Sequence, residues 1–312
     1  MSRSALTERA KSSTKWAMAL KARSTNSKFQ MELSITRPRE PDRNHLLGGR
    51  SFYFFDFDDN VAFLSTRIFL FHKKTGQEFS VSTADFARYG KKVGVAGPFK
   101  DYEVRYDDAT GSFRRFRDIS DVDIARALRQ PFVEDVLDAL SGEDLRWKGP
   151  SWGSFFHAAY NQRPLSVITA RGHHPETIKN GINAIIESGH LPVIPNYLAI
   201  FPVSHPETRF FLGDEKQSLS VARLKQLAIR QSVELAFKTY GFNPHHRFGM
   251  SDDDPHNIEL ILEEMRALKT DYPEVSFFLI ETHGDSHVKY EVLKGGVERH
   301  SLERSLEQLQ LF

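Results

Sequence analysis

The stretch that decides the fold is SFYFFDFDDNVAFL, residues 51–64. It begins with a run of apolar and aromatic residues that is typical of a buried strand, and this run leads into the carboxylates Asp56, Asp58 and Asp59. Carboxylates that lie together repel one another, and burying them unpaired is costly. The stretch therefore predicts either a cation at the end of this strand or a solvated loop that follows it.

The composition is that of a soluble globular protein, with 312 residues, 40% hydrophobic and 27% charged side chains. This length accommodates one large domain or a core with an inserted module. No apolar run approaches the ~20 residues that a membrane helix needs, so we expect no membrane span. The absence of cysteine excludes disulfides, thiolate metal sites and a cysteine nucleophile. It fits a reducing compartment, which favours a cytoplasmic location.

The first part of the chain is strongly basic. Residues 1–50 carry eleven lysines and arginines against four acids, a net charge of +7, which leaves −6 for the remainder. We expect residues 1–46 to form a flexible basic tail with a short helix near residues 5–22. An arm that contacts nucleic acid or phospholipid and a transit-like leader are alternatives that the composition leaves open.

Strands and helices alternate from residue 165 onward, which predicts an α/β fold with a parallel sheet and helices on both faces. After the strand in residues 51–55, the further parallel strands are LSVITA (165–170), YLAIFPVS (197–204), RFGMS (247–251) and VSFFLIET (275–282). FFLG (210–213) is predicted as an additional short strand. Ligands of such sheets bind beyond the carboxyl ends of the strands, so the residues that follow each strand are the candidates for function.

Residues 65–160 form an insertion between the first two strands of a core made of residues 47–64 and 161–312. RIFLFHKKTGQEFSVS (67–82) predicts a hairpin, TADFARYGKK (83–92) a short helix capped by Thr83, and YEVRYDDATGSFRRF (102–116) a second strand pair, with helices up to residue 160. The insertion is locally basic. This composition fits a solvated face or a surface for a large anionic substrate such as an oligonucleotide or a phosphoprotein.

Polar residues follow three of the core strands and should meet at one edge of the sheet. They are Asp56 and Asp58 after the first strand, Thr169 at the end of the second, and Asp252 and Asp253 after the fourth, with Lys225 near the start of the preceding helix. Oxygen-only ligands at such an edge suit Mg²⁺, which would make the clustered carboxylates tolerable. The set predicts phosphoryl chemistry. One aspartate attacks phosphorus, the other protonates the leaving oxygen and later activates water, and a hydroxyl and a lysine hold the phosphoryl oxygens.

These motifs resemble those of the haloacid dehalogenase (HAD) superfamily of phosphohydrolases, in the style of small bacterial and phage members. FYFFDFDDN, SVITARG, SVARLK and RFGMSDDDPHN follow the order of the four family motifs over residues 51–282. The resemblance implies a Mg²⁺-dependent phosphatase with an aspartyl-phosphate intermediate and assigns one role to each matching position. Asp56 is the nucleophile, Asp58 the general acid/base and a metal ligand through its main-chain carbonyl, Thr169 and Lys225 bind phosphate, and Asp56, Asp252 and Asp253 complete the metal site.

Several alternatives stand beside these assignments. Lys216 could take the place of Lys225, and Arg171 could bind a second anionic group of the substrate or lie in solvent. The family motif usually has Thr or Val where this chain has Asn60, which admits a catalytically silent binding module. A phosphatase acting on nucleic-acid ends through the basic tail is a further alternative. The substrate is expected to be a phosphorylated small molecule or macromolecule.

Overall fold

The computed structural model describes residues 38–127, 129–142, 146–283 and 286–300. The predicted helix near residues 5–22, most of the basic tail and the closing segment SLERSLEQLQLF lie outside the described residues. The compact unit that holds the site begins at Arg39, earlier than the predicted tail boundary at residue 47. Residues 39–46 belong to it because Arg163 forms an ion pair with Asp42 and also donates to the carbonyl of Glu40.

The elements alternate as the α/β prediction requires. In chain order the strands are β1 (Ser51–Phe55), β2 (Arg67–His72), β3 (Glu78–Ser82), β4 (Tyr102–Glu103), β5 (Leu165–Thr169), β6 (Tyr197–Pro202), β7 (Arg247–Asp252), β8 (Ser276–His283), β9 (Ser286–Leu293) and β10 (Gly296–His300). The helices are α1 (Thr83–Tyr89), α2 (Asp121–Ala127), α3 (Pro131–Leu140), α4 (Trp152–Tyr160), α5 (Pro175–Glu187), α6 (Pro206–Phe211), α7 (Val221–Tyr240) and α8 (Pro255–Asp271).

The main sheet has seven strands in the order β10-β9-β8-β7-β1-β5-β6. The five strands from β8 to β6 are parallel, and β9 and β10 extend the sheet as antiparallel strands. The chain leaves β1 toward β5 and β6 on one side, and then returns to β7 and β8 on the other. The carboxyl ends of β1 and β7 therefore flank the topological switch point, where ligands of open α/β sheets bind.

Helices cover both faces of this sheet, as the sequence predicts. Successive side chains of β1 point to opposite faces. Phe52 and Phe54 pack into a cluster with residues of α7 and α8, whereas Phe55 packs into a second cluster with residues of α3, α4 and α5. Gly181 of α5 lies directly against Phe132 of α3, which brings these two helices together. The first strand is thus buried on both faces, which fixes the position of the residues that follow it.

The insertion contains a small sheet of its own, in the order β3-β2-β4. The predicted hairpin of β2 and β3 is confirmed, and Ile68, Leu70 and Val81 form its apolar cluster. Helices α3 and α4 instead pack in the same cluster as the main sheet. The part of the insertion with its own core is therefore shorter than residues 65–160, and we call residues 66–117 the small-sheet segment.

Three local predictions were wrong. Residues 102–116 do not form a strand pair, because only Tyr102–Glu103 pair with β2 and Arg114–Phe116 form a short 3-10 turn. FFLG is not a strand, since Pro206 starts helix α6, which ends at Phe211. The cap of α1 is Ser82, whose hydroxyl accepts a hydrogen bond from the backbone N–H of Asp85. In the described part of the chain, no helix combines the length and apolarity that crossing a membrane requires.

Candidate active site at the ends of β1 and β7

A buried lysine joins two aspartates at the switch point of the sheet. Asp56 follows β1 directly, and Asp252 is the last residue of β7. The Nζ atom of Lys225, in the first turns of α7, lies 2.8 Å from Oδ2 of Asp252 and 3.2 Å from Oδ2 of Asp56. The side chain of Lys225 is 2% exposed and that of Asp252 is fully buried. Asp56, Lys225 and Asp252, which are distant in sequence, thus form one compact ionic centre.

Asp253 brings a third carboxylate to this centre. One carboxylate oxygen from each of Asp56, Asp252 and Asp253 lies within 4.8 Å of the others, and they form the one such cluster among the described residues. The carboxylate of Asp252 is held in place, because its Oδ1 accepts from the backbone N–H of Asp254 at 3.0 Å and from the Asn257 side chain at 3.1 Å. We call Asp56, Asp252 and Asp253 the carboxylate cluster.

Burial and mutual repulsion disfavour the ionised forms of the carboxyl groups in the carboxylate cluster. Burial raises the pKa of Asp56 well above its usual range; Lys225 opposes this shift, and the other cluster carboxylates add to it. Burial, followed by repulsion from Asp252, raises the pKa of Asp253 to about 7. Burial alone would lower the pKa of Lys225, but Asp252 and Asp56 outweigh it and raise that pKa, so the side chain stays an ammonium ion. A cation that enters here would favour the ionised forms of these carboxyl groups.

Asn60 ties together the three strands that end at the site. Its side-chain amide donates to the carbonyl of Asp56 at 3.0 Å and to the carbonyl and hydroxyl of Ser251 at 3.1 and 2.9 Å. Its Oδ1 accepts from the hydroxyl of Thr282 at 2.9 Å. Asn60 and Thr282 are fully buried. Asn60 is therefore an anchor of the loop that carries Asp56.

The carboxylate of Asp58 is bound by Arg171. The guanidinium Nε lies 2.9 and 3.1 Å from the two carboxylate oxygens, and Nη2 lies 2.6 Å from Oδ1. The Thr169 hydroxyl donates to Oδ2 of Asp58 at 3.3 Å. The chain turns after Phe57, whose carbonyl accepts from the backbone N–H groups of Val61 and Ala62. Asp56 and Asp58 therefore contact different cations although they are two residues apart.

Arg171 is fully buried, so the alternative of a solvated arginine is wrong. Its guanidinium lies 4.8 Å from the ring centre of Phe116 and 4.7 Å from that of Phe132. Its Nη2 also donates to the Thr66 hydroxyl at 2.6 Å, and Thr66 donates to Asp135 at 2.6 Å. Arg115 completes this chain with a 2.6 Å contact to the other carboxylate oxygen of Asp135. Asp58 is thus connected to the small-sheet segment by buried polar contacts.

A second contact joins the small-sheet segment to the site. Asp59 has a left-handed backbone, with φ of 56°, which places it at the turn after Asp58. Its carboxylate accepts a hydrogen bond from the side chain of Thr83, at the start of α1. Burial and the neighbouring Asp58 carboxylate raise the pKa of Asp59, and the Thr83 contact opposes the shift.

The structure brings the predicted residues together at one edge of the sheet, although their chemical roles stay predictions. Lys225 reaches the carboxylate cluster, whereas Lys216 is exposed in the loop before α7. Sequence reasoning missed Thr282, although a polar residue that closes a buried strand is a usable signal. It also missed Thr66 and Asp135, because their contacts with Arg171 and Arg115 join residues that are distant in sequence.

Four arginines of the small-sheet segment form ion pairs with acids. Arg105 pairs with Glu103, Arg114 with Glu78, Arg115 with Glu134 and Asp135, and Arg117 with Asp108. Lys91, Lys92 and Lys100 are exposed. These four arginines therefore do not form an uncompensated cationic surface.

Comparisons with models of protein families, with curated proteins and with solved structures found no match to this chain. Function must be argued from the geometry of the site.

Proposed function

We propose that this protein is a Mg²⁺-dependent phosphohydrolase that cleaves phosphate monoesters through a phosphorylated Asp56. The observation that carries the proposal is the buried carboxylate cluster with Lys225 at the switch point of a parallel sheet. A second acid, Asp58, lies two residues away with a separate cationic partner. The resemblance of the four motifs to the HAD superfamily supports the same chemistry.

The donor set fits a hard divalent cation. The carboxylate cluster offers oxygen ligands only, and its members lie close enough to share one ion. Burial is the main cause of the raised pKa values of Asp56 and Asp253, and repulsion from neighbouring carboxylates adds to it, so a bound cation would favour the ionised form of each. The main-chain carbonyl of Asp58 is a further expected ligand. Bound Mg²⁺ would neutralise the charge that otherwise opposes the approach of an anionic phosphate to a carboxylate.

In the first step, a carboxylate oxygen of Asp56 forms a bond to phosphorus while the bond from phosphorus to the leaving oxygen breaks. Asp58 supplies the proton that converts the leaving oxygen into an alcohol. Thr169 and Lys225 donate hydrogen bonds to the remaining phosphoryl oxygens, and the buried position of Lys225 makes this interaction stronger than it would be in water.

In the second step, a water molecule attacks the phosphorus of the aspartyl-phosphate. Asp58 takes a proton from this water, the bond between phosphorus and Asp56 breaks, and inorganic phosphate leaves. Asp58 is then protonated again and Asp56 is a free carboxylate, so the cycle closes. Both oxygens of Asp58 accept hydrogen bonds from Arg171, and an acceptor carboxylate is the form that this step uses.

The proposal is tested by hydrolysis of an aryl phosphate by the full-length protein, with Mg²⁺ and with a chelator. We expect Mg²⁺-dependent turnover that falls by at least ~1,000-fold in Asp56→Asn, because the nucleophile is lost. Asp271→Asn changes an exposed carboxylate at the end of α8 and should keep full activity. Wild-type protein that is folded but inactive on aryl phosphates, nucleotides, sugar phosphates and phosphorylated oligonucleotides would indicate a silent binding module instead.

A phosphatase that acts on nucleic-acid ends is a second candidate, favoured by one patch of the sheet. The cationic groups of Arg247 and Lys289 lie 4.4 and 4.1 Å from the ring centre of Phe278, and in the described chain no carboxylate forms an ion pair with either. Burial, together with Arg247 and Arg43, lowers the pKa of Lys289 to about 8. Arg247 begins the strand that ends at Asp252, about 17 Å away at ~3.3 Å per residue.

Binding of a single-stranded oligonucleotide at several salt concentrations separates the two candidates. An enzyme for nucleic-acid ends should bind with a steep salt dependence, and Arg247→Ala with Lys289→Ala should reduce the slope by about 1–2. Lys179→Ala is the matched control, because Lys179 is already paired with Glu176. Weak binding with no effect of the double variant would leave a small phosphorylated substrate as the better choice.

A further inference from the structure

Arg171 occupies a position that none of the catalytic roles above explains. It follows β5 at the same sheet edge as the carboxylate cluster, yet its bonds go to Asp58 and Thr66. A fully buried guanidinium is costly unless its donors are satisfied, and the bidentate pair with a carboxylate is the arrangement that does this best. Only Nη1 lacks a hydrogen-bond partner among the described residues.

The surroundings of Arg171 come from both ends of the small-sheet segment. Thr66, just before β2, accepts from Nη2, and Phe116, near the other end, lies against the guanidinium face. The backbone N–H of Gly172 donates to the carbonyl of Phe116 at 2.8 Å. Phe132 of α3 lies 4.7 Å from the guanidinium carbon. The orientation of Arg171 therefore depends on how the small-sheet segment joins the core.

We propose that Arg171 is a positioning residue that orients the Asp58 carboxylate for hydrolysis of the aspartyl-phosphate, and that Thr66 links this orientation to the small-sheet segment. The inference rests on the proposed function. Because Arg171 contacts both oxygens of Asp58, it fixes the rotation of the carboxylate as well as its place. A base must be held within hydrogen-bond reach and in the right direction to activate water.

The test is the time course of aryl phosphate cleavage after rapid mixing. An aryl leaving group departs without full protonation, so formation of the aspartyl-phosphate should be affected little by Arg171→Gln. Its hydrolysis should slow by about 100-fold, within the range that positioned acid–base groups contribute. The variant should therefore release one equivalent of phenol per active site in a burst, followed by slow turnover, and its KM should fall together with kcat.

An arginine at the other end of β5 provides a matched control. Arg163 precedes β5 and forms a buried ion pair with Asp42, with 9% exposure of each side chain. Arg163→Gln removes a comparable interaction away from the site, so it should lower stability without producing a burst.

A milder variant keeps the inference testable if Arg171→Gln does not fold. Thr66→Val keeps the shape of the side chain but removes the hydroxyl that accepts from Arg171 and donates to Asp135. It should slow hydrolysis of the intermediate by about 5–10-fold, as expected when Arg171 loses one of the hydrogen bonds that orient it. Thr66→Ser keeps the hydroxyl and should restore the wild-type rate.

The other outcomes would refute either the role of Arg171 or the proposed function. A raised KM with a slower burst would mean that Arg171 binds the substrate phosphate, which overturns positioning. Equal loss of both steps, or no change, would also refute the inference while the wild-type phosphatase activity stands. A wild-type protein without turnover would remove the proposed function and the inference together.

Discussion

Asn60 lies where three strands of the sheet end, and its side chain is bonded to residues on all three. It donates toward Asp56 and Ser251 and accepts from Thr282. A buried network of this kind is stabilising only while every member is satisfied. The Asn60 side chain therefore has a structural role in this chain, because it holds the ends of three strands together.

The first prediction concerns this network. Asn60→Ala should lower the free energy of unfolding by about 2–4 kcal/mol, because the buried Asp56 carbonyl and Ser251 hydroxyl lose the hydrogen bonds that Asn60 donates and Thr282 loses an acceptor. Urea denaturation measures the change. Asn180→Ala, at an exposed position of α5, is the control and should stay within ~0.5 kcal/mol of the wild type. A loss below ~1 kcal/mol for Asn60→Ala would show that the network contributes little.

His173 gives a second residue-scale prediction, on pH. It is fully buried, neither ring nitrogen has a hydrogen-bond partner among the described residues, and burial together with nearby Arg171 and Arg117 lowers its pKa well below the ordinary value. The folded protein keeps the ring neutral while the unfolded chain takes up a proton below pH ~6.5. Stability should therefore be lost as the pH falls from 7 to 5.

The measurement compares unfolding free energies at pH 7 and pH 5. The drop should be smaller in His173→Gln than in the wild type by up to ~1.4 kcal/mol per pH unit, since the variant cannot take up this proton. His245→Gln removes an exposed histidine and should keep the wild-type drop. Equal pH dependence in wild type and His173→Gln would contradict the prediction.

At the scale of elements, the packing of α3 on α5 depends on one glycine. A Cβ atom at Gly181 would lie 2.3 Å from Cε1 of Phe132, which is fully buried and cannot move into solvent. The contact brings α3 close to the core and places Phe132 beside Arg171. Helix packing and the arrangement of the site are therefore connected through one aromatic ring.

We expect Gly181→Ala to destabilise the protein by about 1–3 kcal/mol through overpacking, although alanine favours helices by ~1 kcal/mol. Gly153→Ala in α4 meets no atom within 4 Å and should be neutral or stabilising. Adding Phe132→Leu to Gly181→Ala should recover part of the loss in a double-mutant cycle. Strict additivity of the two changes would show that the helices adjust in another way.

The five parallel strands could be predicted because each is a short apolar run bounded by turn residues or a helix. The predicted strand ends put Asp56, Thr169 and Asp252 at one edge of the sheet, where the structure has them, because the carboxyl ends of parallel strands share one edge. The partner of Asp58 could not be predicted, because Arg171 is buried by Phe116 and Phe132, which are distant in sequence. Propensity also failed at FFLG, where Pro206 starts a helix and overrides the apolar pattern.

At the scale of the whole molecule, a cation bound by the carboxylate cluster would reduce the repulsion among its three carboxylates. Binding that occurs only in the folded state stabilises the whole protein, by ~2.7 kcal/mol at one hundred times the dissociation constant. The chain should therefore unfold at a higher temperature when Mg²⁺ is present.

This stabilisation should increase from pH 6 to pH 8. The pKa of Asp253 is raised to about 7, so at pH 6 the carboxyl group is mostly protonated and the ion must displace a proton, whereas at pH 8 the group is ionised. Calorimetry in two buffers of different ionisation enthalpy should detect proton release near pH 7. Asp253→Asn should weaken Mg²⁺ binding and flatten its pH dependence, and an unchanged profile would exclude Asp253 as the titrating ligand.

The small-sheet segment enters and leaves the core at a single turn, because Thr66 and Phe116 both contact Arg171–Gly172. Because its two ends meet, a change in the length of this segment need not alter the register of the strands in the main sheet. The segment also has an apolar cluster of its own. Replacement of residues 66–117 by another segment should therefore leave the main sheet intact, provided that the new segment still offers a hydroxyl and an aromatic ring to Arg171.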